Sequence, residues 1–173
     1  DVCPGDLMIV DQVIDKTFRR AGTFYEHGAV HVEFSEPFCP VMRQWLIDAS
    51  EGLEDVRVHT AGTYVCMEGP QFSTRAESAL HRQWGADLIG MTVMPEAKLA
   101  REAEIAYALI AMPTDYDCWK PAPTGVPQAE LLKEIIGNLE HATAANLKMM
   151  RRALADVSAL RETPSPAHTA LDL

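Results

Sequence analysis

Short apolar runs alternate with helical patterns along this chain, and that alternation limits its fold more than any other feature. After the turn signal Pro4-Gly5-Asp6, residues 7–14 read as a strand that leads into a long loop at 15–36, with a short strand near 30–34. Pro40 opens a helix that runs to Ser50, with Trp45, Leu46 and Ala49 on one face and Gly52 beyond its end. Residues 56–59 and 63–67 follow as strands broken at Gly62. Ser73 or Thr74 caps the next helix, Thr74 and Glu77 have capping-box spacing, and Gly85 closes it. A short buried strand at 87–91, a helix at 96–106 entered through Pro95, and a strand at 107–112 complete the alternation. From 129 to 160, apolar residues at 132, 135/136, 139, 142, 147, 150, 154 and 157 predict a long amphipathic helix packed on the body. The order implies an α/β layered fold around a parallel or mixed sheet, whose ligands gather at the carboxyl ends of strands.

Composition excludes several functions. The 173 residues suit one domain, and a net charge of −10 disfavours nucleic acid as a partner, which needs a basic footprint. No apolar run approaches the ~20 residues of a membrane span, and no segment reads as a signal peptide. The four cysteines lack a C-x-x-C pair and read as small buried hydrophobes of a reducing cytoplasm. His27 and His31 have i, i+4 spacing, but in a non-helical segment without a third ligand, so no metal is expected. The chain begins at Asp1 and enters a core strand within a few residues, as a cut chain does.

Three strand ends stand out: residues 69–73, 90–92 and 114–117. Asp115 and Asp117 lie at i and i+2 on extended chain, so both carboxylates can face one pocket. Close like charges raise the pKa of one member and make it a proton donor to the ring nitrogen of a departing heterocycle. Equally, one Asp caps a turn and the other is solvated; spacing alone leaves both open. Phe72 is either a ring beside the site or ordinary core. Met91 is either a ligand contact or core, and Thr92 is either an anion contact or an N-cap.

Four runs act together: residues 62–78, 84–92, 94–103 and 112–119. With Pro4-Gly5-Asp6, Asp11-Gln12 and Glu36-Pro37-Phe38-Cys39-Pro40, they resemble the trimeric purine nucleoside phosphorylase superfamily. Within it they look like the S-methyl-5'-thioadenosine phosphorylase branch, over residues 1–155. The resemblance implies a pentosyltransferase of purine and methionine salvage. Phosphate, as co-substrate with no further cofactor, attacks the anomeric carbon of 5'-methylthioadenosine and releases adenine. By match to the family, Asp115 donates a proton at N7 and Asp117 reads the 6-amino group. Phe72 stacks on the base and ribose, and Met91 meets the ribose hydroxyls. Ser73 agrees with 6-aminopurines, and Thr92 binds phosphate. His31 resembles the residue that a neighbouring subunit of a homotrimer lends to the 5' end.

The same resemblance implies an α/β/α layered phosphorylase fold with a mixed central sheet, of which 1–160 are the C-terminal portion of a single domain. The first strands and the glycine-rich phosphate loop are expected to be missing, leaving the bare chain weakly active or inactive. Residues 161–173, with Pro164 and Pro166, read as a disordered tail. Gln128 falls where the branch places apolar groups around the methylthio substituent, so the base preference is more secure than the 5' preference. Phosphorylases of methylthioinosine or other purine nucleosides, a hydrolytic nucleosidase, and an inactive purine-binding or oligomerisation fragment are the competing readings.

Overall fold

The alternating side chains of one short strand divide the interior into two cores. In the computed structural model, which describes residues 1–121 and 123–172, β1 (Leu7–Ile9) is buried on both faces. Leu7 packs with Ala142, Ala145 and Met149, and Ile9 with Trp45, Leu46 and Ala153. Met8 and Val10 point the other way, into a core of Phe38, Tyr64, Cys66, Val93, Met94 and Ala97. A strand covered on both sides must be apolar throughout, which is why this run does not alternate with polar residues.

The run expected as one strand over 7–14 is two. β1 pairs in parallel with β3 (Val58–His59) and antiparallel with β6 (Ile110–Ala111), as one mixed sheet. β2 (Gln12–Lys16) joins β4 (Thr63–Met67) and β5 (Leu88–Gly90) in a second, wholly parallel sheet, with Lys16 opposite Met67 and Cys66 opposite Gly90. The chain crosses between sheets at Val10 and Asp11. Arg43 Nε donates to the Val10 carbonyl at 2.9 Å, and Asp11 Oδ1 accepts the Gly62 N–H at 2.7 Å. These bonds take groups that a continuous ladder would have used.

Helix α1 (Pro40–Ser50) has the predicted bounds, with Pro40 at its first turn and the Cys39 sulfur accepting the Met42 N–H. α2 (Arg75–Gln83) starts at Thr74 with both bonds of the capping box, and Gly85 follows its end with φ of 79°. α3 is shorter than expected (Glu96–Glu102), and the 30–34 strand does not form. The long helix α4 (Gln128–Ala155) is present, but its buried stripe is Ala142, Ala145, Met149 and Ala153. Leu132, Ile136, Leu139, Leu147 and Leu154, expected inward, are exposed. Small residues win the inward face because α4 lies close against α1 and β1.

The tail also differs from expectation. Residues 158–162 form helix α5, and 166–169 form a 3-10 turn capped by Ser165, whose hydroxyl accepts the Ala167 N–H at 3.1 Å. Ser165, Ala167 and Ala170 are buried, and the Leu171 N–H donates to Glu104 at 3.3 Å. The prolines that suggested disorder here preset a turn that packs. Positions 122 and 173, within the expected loop and tail, lie outside the described residues. Of the cysteines, Cys39 and Cys66 are buried as expected, whereas Cys3 and Cys118 are exposed. No helix among the described residues is long and apolar enough to cross a membrane.

Candidate active site

Because β2, β4 and β5 run parallel, their carboxyl ends at Lys16, Met67 and Gly90 open along one edge. The segments leaving that edge carry Phe72 and Ser73 after β4, and Met91 and Thr92 after β5. Two glycines bring them together. Gly69 has φ of 70°, and a Cβ there would stand 2.6 Å from the Met91 sulfur, so the turn at 69–70 lies directly on Met91. A Cβ on Gly90 would fall on the Tyr64 hydroxyl. That hydroxyl lies against the side chain and backbone of Thr92, while burial pushes its pKa above the usual tyrosine value.

The segment after β6 carries the two carboxylates. Thr114 Oγ1 donates to Asp115 Oδ1 at 2.7 Å, and the Asn138 side chain on α4 donates to the Thr114 carbonyl at 2.8 Å. Asp117 is half-buried; its Oδ1 accepts the Cys118 N–H at 2.8 Å and its carbonyl accepts the Lys120 N–H at 3.0 Å. Asp117 is therefore the turn-capping member, and Asp115 is the exposed one. The Cys118 thiol donates to the Ser73 carbonyl at 3.3 Å, which ties this segment to the turn that carries Phe72. The Phe72 ring is 82% exposed, so it is not core packing. Phe72, Ser73, Met91 and Thr92 thus share one edge, and the segment that carries Asp115 and Asp117 is tied to it through Cys118. His31 stands exposed within 17–39. That segment is held from α3, where Arg101 donates to the Glu33 carbonyl (2.8 Å) and Glu102 accepts the Phe24 N–H (2.8 Å).

This arrangement at parallel strand ends coincides with a family match: the sequence model of the Phosphorylase superfamily fits residues 1–155. The chain belongs to the phosphorylase superfamily. Among relatives, it is 47% identical over 173 residues to the S-methyl-5'-thioadenosine phosphorylase of Thermosynechococcus vestitus, covering 98% of this chain and 58% of the relative. It is also 47% identical over 150 residues to the enzyme of that name from Danio rerio, covering 83% of this chain and 53% of the relative. The chain thus spans little more than half the length of these curated relatives. A methylthioadenosine phosphorylase from an antarctic soil metagenomic library superposes with a TM-score of 0.85 at 48% identity, over 97% of this chain and 58% of that one. A variant of the adenosine/methylthioadenosine phosphorylase of Schistosoma mansoni, crystallised with methylthioadenosine, gives 0.76 at 35% identity, over 97% and 64%.

In this superfamily member, several residues at the strand ends carry no motif by themselves and sequence reasoning passed them over. Tyr64 left a signal: a tyrosine in an apolar strand must find a partner for its hydroxyl. His81 and Lys16 left none. The two meet at 2.8 Å between Lys16 Nζ and His81 Nε2, joining the end of β2 to α2. Burial, then the Lys16 charge, hold the His81 pKa below the usual histidine value, against the opposing pull of Asp117 and Glu77. A histidine with a lowered folded pKa is protonated first in the unfolded chain. Its contribution to stability is therefore present above pH ~6.5 and is lost as pH falls through that value. Denaturant midpoints at pH 7.5 and 5.5 should fall more steeply for the wild type than for His81→Gln; equal slopes would remove His81 from this role.

Proposed function

We propose that the protein carrying this chain is a 5'-methylthioadenosine phosphorylase, forming adenine and 5-methylthioribose 1-phosphate. A phosphate oxygen bonds to the anomeric carbon as the bond from that carbon to N9 breaks, and the electron pair leaves with the base. Charge builds on the purine in the oxocarbenium-like transition state, so a proton delivered to N7 lowers the barrier. Asp115 is the donor in this reading, and the Asp117 carboxylate accepts from the 6-amino group. A carboxylate repels a 6-carbonyl oxygen, which selects adenine over hypoxanthine and guanine.

Phe72 stacks on the base and ribose, with Ser73 beside it. Met91 contacts the ribose hydroxyl region, and Thr92, oriented by Tyr64, binds phosphate. His31 serves the 5' end of the nucleoside in a neighbouring subunit of a homotrimer, and the setting is the cytoplasm. Phosphate is the co-substrate, and the reaction requires no metal or organic cofactor.

The observation that carries this reading is the thiol-to-carbonyl bond from Cys118 to Ser73, at 3.3 Å, which sets the acidic segment beside the exposed Phe72 turn. The test follows release of the free base, adenine from methylthioadenosine and adenosine and hypoxanthine from inosine, with and without phosphate. The expected order is methylthioadenosine first and inosine last, with no release when phosphate is omitted. Release without phosphate would make the enzyme a hydrolytic nucleosidase, and preference for inosine would overturn the role of the Asp pair.

A further inference from the structure

The parallel strand ends pose an electrostatic problem. Backbone carbonyls of Met67 and Glu68 at the end of β4, and of Met91 and Met94 after β5, converge on one point. Four carbonyl dipoles with their negative ends gathered beside Thr92 repel one another and any anion brought there. Arg20 occupies that point. Its Nη1 donates to Met91 O at 2.5 Å and also to Met94 O. Its Nη2 donates to Glu68 O at 2.9 Å and Met67 O at 3.3 Å. Its Nε faces Glu68 Oε2 at 3.5 Å, and that same oxygen accepts the Phe18 N–H at 2.9 Å. A guanidinium has five N–H donors; here the four on Nη1 and Nη2 go to backbone carbonyls, and Nε faces the Glu68 carboxylate. Arg20 therefore has no Nη donor left for a substrate.

We propose that Arg20 is a positioning residue that sets the separation between the Phe72 turn and the Thr92 turn. Resting on the phosphorylase reading, this fixes the separation of base from phosphate. Nucleophile and leaving group must be aligned across one carbon, so a shift of about 1 Å between the two turns costs on the order of 10²-fold in rate. Lysine does not replace it. An ammonium has three donors in a compact head and does not span four carbonyls held in a planar fork. The guanidinium also leaves positive charge beneath the phosphate contact without surrendering a hydrogen bond to it.

The test compares wild type, Arg20→Lys and Arg20→Ala in the full-length gene product, measuring kcat, KM for phosphate, KM for methylthioadenosine, and the folded fraction. Both variants should lose about 10²-fold in kcat per folded molecule, with a raised KM for phosphate. Added guanidinium ion should restore part of the activity of Arg20→Ala and leave wild type unchanged. Should the alanine variant fail to fold, the lysine variant carries the comparison, since it keeps the charge and the stem. Folded variants that turn over with wild-type kcat and KM would make Arg20 a merely structural residue and overturn the inference alone. A wild type without phosphate-dependent cleavage would overturn the phosphorylase reading, and the role of Arg20 with it.

Discussion

Asp115→Asn should lower kcat for methylthioadenosine by about 10²- to 10⁴-fold, the range associated with loss of a general acid. The substitution is close to isosteric. Its amide oxygen still accepts from Thr114 Oγ1, now 2.7 Å from Asp115 Oδ1, so the backbone after β6 keeps its position. The new NH2 group offers N7 a hydrogen bond but cannot give up a proton, so adenine must depart with its charge unneutralised. Because Asp115 is exposed, stability should change little, and the loss should sit in kcat rather than in the fraction folded. Asp117→Asn is the companion: Asn still accepts the Cys118 N–H, bonded at 2.8 Å, and the expected change is in base discrimination. An Asp115→Asn enzyme with wild-type kcat would remove the proposed acid.

Phe38→Ala should destabilise the fold by about 3–5 kcal/mol, the usual cost of emptying a buried phenylalanine site. Phe38 is 1% exposed and packs with Met8, Val10, Tyr64, Cys66, Val93, Met94 and Ala97. Its ring lies stacked with Tyr107, centroids 6.1 Å apart. The surrounding side chains come from both sheets and from the segment before α3, so they cannot close the gap by one local movement. Against a total of about 5–15 kcal/mol for a domain, this is a large share. Urea unfolding should show a lower midpoint with the same slope. The damage should also reach the site, because Tyr64 and Val93 lie beneath Thr92. Phe38→Leu should cost much less than the alanine variant; equal losses would argue that the ring is not packed as described.

The elements read most accurately are those whose determining contacts lie within a few residues. Thr74 and Glu77 are three apart and satisfy each other's backbone partners, so α2 starts where its sequence says. Pro40 sets the first turn of α1 in the same local way. The placement of Phe72, Met91, Thr92, Asp115 and Asp117 just beyond apolar strands was also legible. Their roles were less so. Asp115 and Asp117 look equivalent by spacing, and they part only because the turn after β6 assigns Asp117 to the Cys118 N–H.

By itself, then, the sequence determined the alternation of elements and the starts of α1 and α2, because these follow from bonds closed between near neighbours. Only the tertiary structure decided that residues 7–16 belong to two sheets, that α4 turns its alanines inward, and that the tail packs. It alone placed Arg20 on carbonyls 47 to 74 positions further along. Such contacts leave no periodicity behind. They depend on which distant groups remain unsatisfied once the strands are laid side by side, and that becomes known only when the chain has closed on itself.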